Sequence, residues 1–193
     1  MSDMPRTAVA GPDGRLRCPW AISPAEYIGY HDQEWGRPVR DDQGLYERLS
    51  LEAFQSGLSW LTILRKRENF RTAFRGFDLA AVAAFGPDDV ARLLADAGIV
   101  RNRAKIEAAI DNAHAALDLP DGLSALVWKY AEPDRRAPVT LDDVPSSTPG
   151  AKALSADLRR HGFRFTGPVT AYATMQACGL VNDHLADCFC RGE

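Results

Sequence analysis

Two pairs of metal-ligating side chains stand at opposite ends of the chain. Cys18 and His31 lie in RCPW and YHDQEWG, and His184 and Cys188 lie in VNDHLADC. The second pair is spaced i, i+4, which on a helix puts both side chains on one face. That spacing predicts a short last helix carrying both. Two thiolates and two imidazoles are the ligand set of a closed tetrahedral Zn²⁺ site. If the pairs meet, the two ends of the chain are tied together and everything between them is one closed unit. Taken singly, each of the four is more often a core or structural residue. Cys190 is an alternative to Cys188, but the interval from His184 favours Cys188. The Cys18–His31 interval is wider than in a zinc finger.

The 193 residues suffice for one core, in one or two lobes. No apolar run approaches the ~18 residues of a membrane span. Residues 1–16 are small and polar, contain Gly and Pro, and lack an apolar signal core; they read as a disordered tail. That reading predicts a cytoplasmic protein whose four cysteines are reduced, which favours metal or core roles. At a net charge of −3, any contact with nucleic acid must come from a local basic patch.

Alternating β-branched runs are nearly absent, and Leu/Ala/Ile periodicity is frequent. Helices are predicted over 24–33, 42–56, 59–73, 78–85, 87–96, 103–117, 122–130, 149–161 and 169–179, an all-α class. Gly57, Gly86, Gly98 and Gly162 read as stops or turns. The segment 131–149 is the longest irregular stretch, a loop or a link between lobes.

Within 87–117, Pro87 suits a first helical turn, with Asp88 and Asp89 at its positive end. Val90, Leu93, Leu94 and Ala97 form one apolar stripe; Ile106, Ala109, Ile110, Ala113 and Leu117 form a second. The Gly98-containing turn between them makes a helical hairpin, with Ile99 and Val100 plugging between the helices. Asn102 is a good N-cap. Free amides at a helix N-terminus suit an anion, and Arg101, Arg103 and Lys105 cluster there. The pattern fits an ordinary αα-hairpin with a solvated basic face as well as a grip on the DNA backbone.

Tyr27, Tyr30 and His31 share a helix face at i, i+3, i+4. Trp35 follows, and Trp60 stands in GLSW just after a helix break. These aromatics suit a core or a stacking slot for a planar base. Glu52 projects within roughly 20° of Leu45 and roughly 60° of Leu49 on its helix. It therefore faces inward or lines a cleft, where a carboxylate needs a hydrogen-bonding task. The other reading is an ion pair with Arg48.

The motifs RCPW, YIGYHDQEWGRPV, LEAFQSGLSWLTILRKRENFR, LLADAGIVRNRAKIEAAIDNA, GFRFTGP and MQACGLVNDH occur in this order. From about residue 17 onward the chain resembles the 3-methyladenine DNA glycosylase I family of the helix-hairpin-helix superfamily. The resemblance implies one glycosylase unit over 17–193, with a hairpin element at about 87–117. It also implies two helical lobes and a zinc lobe built from about 17–36 and 150–193. One structural zinc would be held by Cys18, His31, His184 and Cys188. Tyr27, Tyr30, Trp35, Trp60 and Glu52 would form the base pocket, with Glu52 the candidate catalytic group. Gly98, Val100, Arg101, Asn102, Arg103 and Lys105 would meet DNA. The implied activity is hydrolytic excision of 3-methyladenine from double-stranded DNA, by a monomer, without lyase chemistry. The family lacks the aspartate that most of its relatives place after the hairpin, so Asp118 and Asp121 read as turn residues. Two rivals stand beside this reading: a zinc-stabilised DNA-binding module without catalysis, and a hydrolase using the Cys/His site directly.

Overall fold

The computed structural model describes residues 5–133 and 135–192. A small hairpin of β1 (Val9–Ala10) and β2 (Leu16–Arg17) is followed by α1 (Ala25–Gln33), α2 (Asp42–Gln55), α3 (Trp60–Ala73), α4 (Leu79–Ala83) and α5 (Pro87–Ala95). Then come α6 (Arg103–Leu117), α7 (Gly122–Trp128), α8 (Pro149–Arg160) and α9 (Pro168–Ala177). Each lies where the apolar periodicity places a helix. The N-termini carry their own signals: Asp41, Ser59, Asp78, Asn102 and Thr148 each accept a hydrogen bond from an amide three residues on. Pro87, Pro149 and Pro168 occupy first-turn positions where no amide is missed.

Helix α2 is the centre of the molecule. It packs against α3, α6, α7 and α9, and Leu45, Leu49, Leu51 and Phe54 are buried along it. Such a helix is buried on most of its faces, so a charge near its middle has little access to water. The Tyr46 hydroxyl donates to the Ala109 carbonyl at 2.8 Å and fixes α2 against α6. Phe54, Phe70, Phe74 and Phe77 stack in series, with successive ring centroids 4.7, 6.2 and 5.5 Å apart. Truncating one of them to Ala would cost about 3–5 kcal/mol. The buried side chains form one continuous core and a satellite cluster around Cys18, Leu185, Cys188 and Cys190.

Two expectations change. Residues 5–16 are not a structureless tail. Arg17 is buried and binds both Asp13 and Asp32, which closes the β-hairpin onto α1. The Leu141 amide donates to the Arg6 carbonyl, so this segment also docks on the loop before α8. Low hydropathy hid an arrangement held by an ion-pair network. The short last helix expected to carry His184 and Cys188 does not form there; the described residues have instead a 3-10 turn over Phe189–Gly192. His184 and Cys188 are brought together by a turn, in which the Cys188 amide donates to the Leu185 carbonyl at 2.9 Å. The i, i+4 interval placed the pair correctly, while a tight turn supplied the approach.

Candidate functional site

Cys18, His31, His184 and Cys188 are all buried, and their ligand atoms lie within 4.8 Å of one another. His31 Nε2 and His184 Nδ1 are 3.2 Å apart; Cys188 Sγ lies 3.4 Å from the first and 3.6 Å from the second. Cys18 Sγ is 3.9 Å from His184 Nδ1. A tetrahedral ion with ordinary Zn–N and Zn–S bonds spaces its donors roughly 3.3–3.8 Å apart. The outward nitrogens explain the inward ones. His31 Nδ1 meets the Asp32 carboxylate at 2.8 Å, and His184 Nε2 meets the Trp35 carbonyl at 3.1 Å. Both outward nitrogens face acceptors and so carry the hydrogens, which leaves two lone pairs facing each other. A cation between them removes that repulsion, so the donor set fits a metal. Burial opposes ionisation of Asp32, but Arg17 and His31 hold its carboxyl below the usual range. Cys188 is pushed well down, first by the Cys18 thiol and then by the two imidazoles. Gly36 adopts a φ of 79°, and a Cβ there would stand 3.0 Å from His184 Nε2, so the chain passes the ring only as glycine. Cys190 Sγ stands 3.8 Å from His31 Nδ1, on the far side of that ring.

Beside this cluster opens a cleft of about 400 Å³. Tyr27, Tyr30, Trp35, Trp60 and Glu52 all line it. Trp20, Gln55 and Asp183 line it too, and sequence reasoning passed over them. Gln55 follows Glu52 by one turn and was readable from helical spacing. Trp20 had only its place beside Cys18 in RCPW as a signal. The rings interlock: Trp20 stands edge-on to Trp35 at 5.1 Å and to Tyr27 at 5.8 Å, and Tyr30 lies 5.3 Å from Trp60. The Tyr27 hydroxyl accepts from the Leu61 amide at 3.0 Å, joining α1 to the start of α3.

Glu52 is 7 % exposed, and among the described residues its carboxyl has no hydrogen-bond partner. The ion pair with Arg48 does not form, because Arg48 Nη1 donates to the Gly44 carbonyl instead. Burial alone lifts the Glu52 carboxyl to about 8. Tyr30 is pushed up by burial and then by the charge of Glu52. The Trp60 indole N–H is also buried without a partner among the described residues. An acceptor and a donor, both unsatisfied, thus sit in one aromatic cleft.

The hairpin is α5, the turn 96–102 and α6. Ile99 is buried as the plug and Val100 packs half-buried on the core. The Gly98 amide donates to Asp96 Oδ1 at 2.7 Å, and a Cβ on Gly98 would press on Asn69 at 3.1 Å. Asn102 caps α6 through the Lys105 amide. The amides of Val100, Arg101, Arg103 and Ala104 have no partner among the described residues. Arg101 and Arg103 are exposed. Lys105 is not a surface cation: it is 8 % exposed, and its Nζ donates to the carbonyls of Phe54 at 2.9 Å and Ser56 at 2.7 Å. The backbone carbonyls ending α2 claim it, so its expected place among DNA-contacting residues is corrected.

A methyladenine glycosylase family model matches residues 20–191. The chain is 46% identical over 179 residues to DNA-3-methyladenine glycosylase 1 of Escherichia coli (strain K12), covering 90% of this chain and 96% of that protein. It is 43% identical over 180 residues to DNA-3-methyladenine glycosylase of Haemophilus influenzae, covering 91% and 97%. Among solved structures, one of 3-methyladenine DNA glycosylase I from Staphylococcus aureus, described as giving the basis of 3-methyladenine recognition, superposes with a TM-score of 0.87. It does so at 35% identity over 92% of this chain and 97% of that one.

Proposed function

The chain belongs to the methyladenine glycosylase family, and from that premise we propose that it is a DNA repair glycosylase. In this reading it extrudes 3-methyladenine from double-stranded DNA into the cleft and hydrolyses its N-glycosidic bond. The observation that carries it is Glu52, a buried carboxyl without a protein partner in a cleft walled by aromatic rings. Among the described residues nothing pairs with it, and such a group is costly to keep.

Methylation at N3 makes the bound purine cationic. The electron pair of the C1′–N9 bond then leaves with the base and quenches its charge. Water adds to C1′ and loses a proton. A strong general acid is therefore not required. The cleft's tasks are to hold the base and to favour its charged form. Stacked rings attract a cation by about 0.5–2 kcal/mol. In the free protein Glu52 titrates near 8. A cationic purine beside it favours the carboxylate, which then accepts from the exocyclic amine of adenine. The same carboxylate suits the positive charge that develops on the sugar, by analogy with glycosidases. Among the described residues no lysine lines the cleft, which supports water rather than an amine as nucleophile and a monofunctional enzyme. The amides before and within the first turn of α6, with Arg101 and Arg103, would receive the DNA backbone.

The reading includes one structural zinc on Cys18, His31, His184 and Cys188, joining the two ends of the chain and the satellite cluster to the main core. Four protein ligands leave no open position, which argues against a hydrolase acting through the metal. One chain carries cleft, hairpin and cluster, which supports action as a monomer, with the cytoplasm as its place of work. Incubation with alkylated duplex DNA tests the proposal. Release of 3-methyladenine but not of 7-methylguanine is expected. A protein that binds the duplex and releases no base is the non-catalytic module instead.

A further inference from the structure

Two lysines link the hairpin and the cleft wall in opposite directions. Lys105, in the first turn of α6, reaches back to α2 and donates to the carbonyls of Phe54 and Ser56. These are the carbonyls on either side of Gln55, which lines the cleft one turn after Glu52. Lys66, on α3, reaches the other way and donates to the carbonyls of Ala97 at 2.9 Å and Gly98 at 3.2 Å in the hairpin turn. The Asn69 side chain adds a third bond, at 3.4 Å to Gly98. Two residues beyond Gly98 the unpartnered amides begin.

The arrangement is costly as mere capping. A buried ammonium gives up hydration, and lysine is rarely buried. Carbonyls at the end of α2 are negative through the helix dipole and need donors, which offsets part of that cost. Water or a glycine cap would satisfy them more cheaply. A lysine adds a fixed span, because its stem crosses from one element to another. The span here runs from the amides that face a phosphate to the wall that faces a base. A flipped nucleotide is one rigid link between those two places, so their separation must match it.

We infer that Lys66 and Lys105 are positioning residues that set the distance between the hairpin amides and the Glu52 cleft, so that gripping the DNA backbone delivers the extruded base in register. The inference rests on the glycosylase reading. Its test uses Lys66→Met, Lys66→Arg and Lys105→Met, each keeping an apolar stem. Single-turnover release of 3-methyladenine from alkylated duplex is measured beside binding of free 3-methyladenine, followed by tryptophan fluorescence. Lys66→Met, at the more exposed of the two braces, carries the result if Lys105→Met fails to fold. Release from duplex is expected to fall by about 10- to 100-fold in the Met variants, the scale of an ångström-level misplacement. Free-base affinity should stay within about twofold, and Lys66→Arg should recover most of the rate. Unchanged release overturns the inference. So does an equal fall in release and in free-base binding, which would mean that the lysines only maintain the cleft. If the wild-type protein releases no base from alkylated duplex, the glycosylase reading fails first and this inference falls with it.

Discussion

The Cys/His cluster and the Glu52 cleft are neighbours, and Cys18 and Trp35 belong to the edges of both. They differ in how their polar atoms are satisfied. In the cluster every inward donor atom faces another within 4.8 Å, and the outward nitrogens are taken by Asp32 and the Trp35 carbonyl. The arrangement closes on a point. In the cleft the Glu52 carboxyl and the Trp60 indole N–H face no partner among the described residues. Buried polar groups are normally paired, so the first pattern is that of a cluster that could hold an ion and the second is that of space open to a ligand. On the proposed reading, proximity to the cluster is a poor guide to where the reaction occurs.

The largest effect that separates the two regions should come from the cluster. Structural zinc contributes on the order of 10 kcal/mol of folding energy. Cys188→Ala should therefore lose stoichiometric zinc and lower Tm by on the order of 10 °C or more. Metal analysis and thermal denaturation check both. Retention of one zinc with an unchanged Tm would hand the fourth position to Cys190, which already stands near the His31 ring.

Glu52→Gln should do the reverse. Release of 3-methyladenine should fall by about 100-fold or more, the scale of removing one buried electrostatic interaction with the transition state. Binding to undamaged duplex should hold. Its effect on stability has a definite sign. The folded carboxyl titrates near 8 against an ordinary value of 4.5, so the folded protein keeps a proton that the unfolded chain releases. Wild-type stability from this group is present below about 4.5 and is lost as pH rises towards 8. Glutamine does not titrate, so the variant's advantage should grow across that window by roughly 1–4 kcal/mol. Melting curves at about pH 5 and about pH 8.5 measure it. An equal difference between variant and wild type at both would mean that Glu52 is already ionised in the free protein.

The helices were legible because apolar periodicity and caps are local: Asp41, Ser59, Asn102 and Thr148 start the helices they signal. Glu52 was legible because its face is shared with Leu45 and Leu49. What was not legible is long-range. The β-hairpin depends on Arg17 meeting Asp32, and no window of sequence contains that pairing with its burial. Trp20 lines the cleft beside Cys18, which meets His184 from the other end of the chain. Lys105 read as one of three basic residues, since its partners at positions 54 and 56 lie on a helix far back along the chain.

The criterion that separates cluster from cleft also divides the hairpin's three cations, and predicts the smallest effect. Arg101 is exposed, and the pair of Arg103 with Glu107 is long, at 3.4 Å, and exposed on both sides. Such a pair is worth little and yields readily to a phosphate. Lys105 is closed onto two carbonyls. Arg101→Ala and Arg103→Ala should each weaken duplex binding several-fold and reduce the slope of log affinity against log salt by about 0.9 for each phosphate no longer neutralised. Lys105→Met should leave that slope unchanged, because an ammonium that never meets the duplex releases no counterion from it. Titrations of undamaged duplex at several salt concentrations distinguish the three. A slope lowered by Lys105→Met as much as by Arg101→Ala would show that the lysine opens towards DNA on binding, and that satisfaction in the free protein does not mark a residue as structural.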